Sequence, residues 1–315
     1  MTYKKQLICL VSIIFILLFA YIGSFIYNID FKKTSSLYSW LDFSDAEKAS
    51  RIIFYTEWEE FEFNKRNDYW FITHNGNEYP ARQQRMSDFF NILTTRSSWP
   101  VRSSTESSHE RFDLDEFASR ITIYDDNSAV ILDLMIGKDD VMGTEAYFLK
   151  VGQNDVRSGD NTIKAYMTNA ITGWYNFRII PETESNNIDS VFIQRVYVHH
   201  GEETQVFSRN YYEWNIFGIN VSLPDVNSIE NYIRTILNTE GDNFIHNIST
   251  NDPVFNQNRI VLEFGDGEVL TIRISDPEEN GRRFVNISGR EHIYSVPAWA
   301  SNRFFRDASS FELTF

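Results

Sequence analysis

RNDYWFI, residues 66–72, is a polar turn running into an aromatic strand, and RNYYEWNI, residues 209–216, repeats it half a chain later. Upstream of the first stretch, ASRIIFY (49–55) is a short β-rich run. EFEFNK (60–65) and YWFITH (69–74) alternate in hydropathy about Asn67-Asp68, which is the pattern of a meander. Downstream, Met86, Phe89, Phe90 and Leu93 fall at helical spacing behind Pro80. Three further strand-like runs follow, RITIYDD, AVILDLMIG and AYFLKV, and a helical piece over 163–174 closes the series.

The surroundings of the second stretch have the same order. Strands are expected at 190–198, 204–209 and 212–216. A helix behind Pro224 puts Val226, Ile229, Ile233, Ile236 and Leu237 on one face. RIVLEFGDGEVLTIRIS (259–275) reads as a hairpin about Gly265-Asp266-Gly267. RRFVNIS (282–288) and the short helix VPAWASNRFF (296–305) end the series. The spacing between matching residues drifts slowly: Trp70 to Trp214 is 144 positions, Arg120 to Arg259 is 139, and Tyr147 to Arg283 is 136. Loop deletions after a duplication leave such a drift. The expectation is an α+β chain of two tandem repeats, each β-β-β-α-β-β-β-α, over 49–180 and 188–315. Trp70 and Trp214 read as core anchors opposite the helices rather than as sugar-stacking platforms.

The composition fits. Phe (26) and Tyr (16) favour strands, and 42% hydrophobic residues suffice for packed cores. Lys and Arg number 29 against 44 Asp and Glu, a formal charge of −15, which argues against a nucleic-acid partner. Cys9 is the one cysteine, so no intrachain disulfide and no cysteine-based metal site is expected.

Cys9 lies within LICLVSIIFILLFAYIGSFIY, residues 7–27, a run of 21 residues without charge. That length crosses a hydrocarbon layer of about 30 Å as a helix. Lys4 and Lys5 precede the run and Lys32 and Lys33 follow it. Residues 1–32 are therefore read as a transmembrane signal-anchor with its N-terminus inside, and 33–48 as a juxtamembrane linker. A cleaved signal peptide is the competing reading, although no A-x-A exit follows the run. The protein is expected to be a single-pass inner-membrane protein whose bulk is extracytoplasmic. A body free of cysteine suits an oxidising compartment.

Few residues suggest chemistry. His74, His109, His199, His200, His246 and His292 are scattered, with no H-x-x-x-H or H-E-x-x-H spacing. Asp113/Asp115, Asp125/Asp126, Asp139/Asp140 and Asp266 lack the spacing of a calcium loop, and Asp125-Asp126-Asn127-Ser128 fits a hairpin turn. There is no G-x-S-x-G, no phosphate-binding loop and no G-x-G-x-x-G. No catalytic, cofactor-binding or metal residue is assigned. Ser-rich 97–111 and acidic 180–189 read as solvated linkers.

Several features together resemble one known group. These are the anchor, the strand and helix in YWFITHNGNEYPARQQRMSDFFNIL, FDLDEF (112–117), and Ile136-Gly137 ahead of the Tyr147-containing strand. The chain resembles the bacterial domain-of-unknown-function family 4340, membrane-anchored extracytoplasmic proteins associated with gliding-motility-type ABC transporters. The likeness spans roughly 40–180, and the second copy extends it. FDLDEF stands where the family has an aromatic-Gly-Leu element, so Asp113 replaces glycine. The family has no established catalytic residues to transfer. What the resemblance implies is a location in the cell envelope and an ABC-type neighbour.

The expected function is a non-enzymatic accessory protein anchored in membrane lipid and working with an ABC-type transport complex, with no cofactor. The alternative is an extracytoplasmic module holding a carbohydrate or peptide in a groove between the copies. An envelope hydrolase built from ordinary carboxylates ranks third.

Overall fold

The computed structural model describes residues 17, 18, 21, 37–56, 59–168, 171–180, 192–211, 213–217 and 223–313. The apolar run over 7–27 lies outside the described residues except Leu17, Leu18 and Tyr21, which are helical and exposed. The linker over 180–189 lies outside them too, apart from Ile180. Among the described residues no helix is long and apolar enough to cross a membrane.

The body is α+β, with two antiparallel sheets and few helices. It divides into two compact units, Met1–Trp174 and Tyr175–Phe315. The division falls before the acidic linker, because Tyr175–Ile180 bonds into the second unit. Ile179 N–H donates to Thr239 O, and Gly241 N–H donates to Phe177 O. The Tyr175 and Phe177 rings meet Phe244 at 5.4 and 5.0 Å.

In the first unit a short helix α1 (Phe43–Lys48) leads into β1 (Ala49–Tyr55), β2 (Glu60–Arg66), β3 (Tyr69–His74) and β4 (Asn77–Pro80). Helix α2 (Gln83–Thr94) follows, then β5 (Val101–Ser103), β6 (Ser119–Asp125), β7 (Val130–Asp139), β8 (Glu145–Lys150) and β9 (Val156–Asp160). Helix α3 (Thr162–Thr168) and a 3-10 turn, Ile171–Gly173, close it, within the span 163–174 expected to be helical. The sheet order is β4-β3-β2-β1-β6-β7-β8-β9-β5.

The second unit contains β10 (Ile193–His200), β11 (Glu203–Asn210), β12 (Glu213–Phe217), α4 (Val226–Leu237), β13 (Asn243–Ile245), β14 (Asn258–Phe264), β15 (Val269–Ile274), β16 (Arg283–Ile287), β17 (Ile293–Val296) and α5 (Ala298–Ser301). Its sheet order, β12-β11-β10-β14-β15-β16-β17-β13, matches the first strand for strand apart from β4. The register matches as well. Ile52 pairs with Phe63 and Ile123, and Val196 pairs with Phe207 and Leu262. Both central pairings also carry an irregularity at one place, between Ala49 and Arg51 in β1 and between Ile193 and Arg195 in β10. Each of those positions is 144 residues from its counterpart.

Each unit was expected to have six strands, and the sheets hold nine and eight. The additional strands are short edge pieces such as β5 and β13, or strands such as β17 whose residues are all buried. Neither kind alternates in hydropathy, the pattern by which a sequence marks a half-buried strand.

Turns and caps follow local chemistry. Asn67 and Asp68 both take positive φ, the conformation of a two-residue hairpin turn. The Asp225 side chain caps α4 by accepting from Asn227 N–H. Gln83 ties α2 to the neighbouring strand: its Nε2 donates to Trp70 O while its Oε1 accepts from Trp70 N–H.

The core of each unit is built on three aromatic rings, one each from strand, helix and closing segment. In the first unit Phe63 lies 4.8 Å from Trp174, and Phe89 lies 6.1 Å from it. In the second, Phe207 and Tyr232 lie 5.0 and 5.2 Å from Phe311. All six are essentially fully buried. The Tyr232 hydroxyl donates to Phe304 O, and burial raises its pKa well above the usual phenol range. Trp70 and Trp214 are also buried, with the Trp70 ring 5.7 Å from that of Phe90 on α2.

Truncating a buried aromatic removes its transfer energy and leaves a cavity, at about 3–5 kcal/mol. Trp174→Ala and Phe311→Ala should each lower the urea unfolding free energy by that amount. A loss below about 1 kcal/mol would remove the ring triad as the organising contact.

Candidate functional site

Three features singled out in the sequence, FDLDEF, Gly137 and Tyr147, come together in the first unit. FDLDEF begins at the last residue of a 3-10 turn, Glu110–Phe112, and its Asp113 takes φ 55° and ψ 39°. Asp113 thus takes the left-handed conformation that glycine adopts without cost. The Phe112 ring lies 4.6 Å from Tyr147. Leu114 is buried with Leu149 and Val156. Gly137 accepts this turn against its own backbone: a Cβ there would sit 2.1 Å from Phe112 O and 3.1 Å from the Leu114 side chain. Phe112, Leu114, Gly137 and Tyr147 are thus engaged in packing.

Beside them is a cleft of about 410 Å³ lined by Glu59, Asp113, Phe117, Lys138, Lys164 and Met167, among others. Its cations are paired. Lys138 Nζ lies 3.6 Å from Asp113, and Lys164 Nζ donates to Asp139 at 3.0 Å and to Gly137 O at 3.3 Å. Phe117 projects from its rim, 81% exposed.

A larger groove, about 540 Å³, opens in the second unit between α4 and α5. Asn231, Arg234 and Asn238 line it from α4 and its C-terminal end, Trp299 and Arg303 from α5 and the residues after it, and Glu240 lines it too. Trp299 is 66% exposed, and the Arg303 guanidinium lies 5.1 Å from its ring centre. Hydrogen bonds fix the Asn238 side chain: Oδ1 accepts from Arg178 at 2.6 Å, and Nδ2 donates to Arg234 O at 2.9 Å. Thr239 Oγ1 donates to Thr235 O. The backbone of Glu240 forms a β-bridge with that of Arg178.

The histidines stay apart in role. His109 Nε2 lies 3.4 Å from Asn154 O, His199 Nδ1 bonds Thr204 Oγ1, and His200 stacks on Phe305 at 4.2 Å. His292 packs against Phe244 and Tyr294. The acidic residues mostly cap turns. Asp125 accepts from Asn127 and Ala129, Asp140 from Thr144 and Glu145, and Asp266 from Glu268. Asp115 accepts from Phe117 N–H. Among the described residues, no group of three or more His, Cys, Asp or Glu could hold a metal ion.

Sequence reasoning read VPAWASNRFF only as a closing helix and missed the groove. A signal was present: Trp299 is followed four residues on by Arg303 and flanked by Ala298, Ala300 and Ser301, which are too small to cover an indole.

Comparison of the chain with family models, with curated proteins and with solved structures gives no match in any of the three.

Two expectations follow. Gly137→Ala forces backbone apart from backbone, so it should cost the first unit more than 2 kcal/mol, at the upper end of the about 1–3 kcal/mol typical of overpacking. Asp113→Gly should be neutral or stabilising in the same urea titration.

The second expectation concerns pH. Burial holds the His292 pKa below its ordinary 6.5; Glu291 acts against that shift, and His246 adds to it. Burial, then Arg259, does the same to His199. The folded state therefore favours both rings neutral, while the unfolded chain takes up protons at higher pH. Their contribution to stability is complete above about pH 6.5 and drains as pH falls below it. The unfolding free energy should fall between pH 7 and pH 5, and His292→Gln should flatten that slope. An unchanged slope in the variant would exclude His292 as a contributor.

Proposed function

We propose that the chain is a membrane-anchored extracytoplasmic accessory protein with no reaction of its own, built from a duplicated antiparallel-sheet unit and working beside an ABC-type transport complex. The observation that carries the duplication is the shared irregularity of the central strand pairing, at Ala49/Arg51 and again at Ile193/Arg195. Packing alone does not require an irregularity at one place in two sheets, whereas copying an ancestral strand does. The common strand order and the paired aromatic triads support the same reading.

The anchor rests on the uncharged run over 7–27. The accessory role is supported by how four of the marked residues are used: Phe112, Leu114, Gly137 and Tyr147 pack against one another and their neighbours. The ABC-type neighbour rests on the family resemblance.

A carbohydrate-binding module is the second reading, favoured by the open Trp299 groove in the second unit.

Full-length protein in native membranes should be shaved by external protease in spheroplasts while a fragment holding residues 1–32 stays protected. Chemical crosslinking in those membranes, followed by mass spectrometry, should recover an ABC permease or ATPase. Protection of the whole body, or recovery of soluble cytoplasmic partners only, overturns the proposal. The detergent-solubilised chain should show no turnover on ester, glycoside, peptide and phosphate substrates. A reproducible activity abolished by one carboxylate or histidine substitution would replace it with the hydrolase reading.

A further inference from the structure

We infer that the groove between α4 and α5 is a binding site for an acidic saccharide, a pyranose chain bearing carboxylates. The inference stands on the second unit alone and is independent of anchoring and of any transporter.

Three observations combine. The first is Trp299: an indole 66% exposed on a four-residue helix has hydrophobic area left to bury. One face of a pyranose is a flat patch of C–H groups, which suits a single open aromatic plane. A peptide side chain would be better served by an enclosed apolar pocket, which this open groove lacks.

The second is charge. The chain carries a formal −15, yet this groove gathers Arg234 and Arg303 against one carboxylate, Glu240. Arg234 makes no ion pair or ring contact among the described residues, and Arg303 lies on Trp299. Guanidinium groups bind carboxylates in a planar, bidentate fashion. Stacking against Trp299 and pairing with Arg234 would thus engage the face and the carboxylate of one sugar ring. Asn231 adds an amide for hydroxyl groups. The volume lies within the range of about 300–1,000 Å³ typical of small-molecule sites.

The third is the contrast with the first unit. There the closing helix turns Tyr166 onto α2, 5.6 Å from Phe89 and 4.8 Å from the Arg85 guanidinium. That junction is filled by aromatic packing. In the second unit the closing helix carries Trp299 and Arg303, and the junction stays open. An Asn238 side chain hydrogen-bonded through both Oδ1 and Nδ2 holds that part of the lining in place before any ligand arrives.

Calorimetric titration of the detergent-solubilised full chain tests this, with trigalacturonate as the probe and maltotriose and triglutamate as comparators. Trigalacturonate should bind at least tenfold more tightly than either comparator, a difference of about 1.4 kcal/mol. Trp299→Ala and Arg234→Gln should each weaken it by tenfold or more. Both side chains are exposed, so the variants should keep the parent circular dichroism and thermal midpoint, separating lost binding from lost fold. Equal binding of maltotriose would overturn the charge argument, and preferred binding of triglutamate would make the groove an acidic-peptide site instead. Absence of trigalacturonate binding, or binding that survives Trp299→Ala, also overturns the proposal.

Discussion

Each unit depends on a three-ring contact that joins sheet, helix and closing segment. A sheet with one helix on its face has no reason to hold that helix at one angle until something spans both. Trp174 does this in the first unit, touching Phe54 and Phe63 on the strands and Phe89 on the helix. Phe311 does it in the second, with Phe207 and Tyr232. Edge-to-face geometry recurs in these contacts, adding about 0.5–1.5 kcal/mol per pair beyond burial. The closing segment is therefore part of the core although it comes last in each unit.

The shared strand order has a consequence for chemistry. Two copies of one scaffold can keep the same buried rings while their outer faces diverge. In the first unit the last helix is covered by Tyr166 and Arg85 packing, and the neighbouring cleft has its lysines neutralised by Asp113 and Asp139. In the second the equivalent region is open, with an exposed indole beside two arginines. On the duplication we propose, one copy remains a structural unit and the other gains a surface for a ligand.

The acidic residues show how a high negative charge is tolerated. Asp140 is held below the usual carboxylate range by the backbone N–H groups of Glu145, Thr144, Met142 and Gly143, and Asp225 by the Ser228 hydroxyl and by the Asn227 and Ser228 amides. These charges serve turns and a helix start, where unpaired amides need acceptors. Of the paired acidic residues, Asp115, Asp125 and Asp140 accept from backbone amides of turns, whereas Asp113 and Asp139 pair with Lys138 and Lys164.

Local signals in the chain were enough for the α+β class, the long helices, the hairpin turns at Asn67-Asp68 and Gly265–Gly267, and the matched order of the two halves. Those features depend on periodicity and on residues that tolerate special backbone angles, and both are written position by position. Four things needed the tertiary structure. The edge strands β5 and β13 are too short to show a period, and only pairing with β9 and β17 makes them strands. The division after Trp174 depends on whether 175–180 bonds forward or back, which neighbouring residues do not encode. The need for glycine at 137 comes from the Phe112 carbonyl, 25 residues away in sequence and in contact only after folding. The groove has the same origin: Arg234 and Trp299 are 65 positions apart, and burial or exposure of an indole is settled by what packs over it.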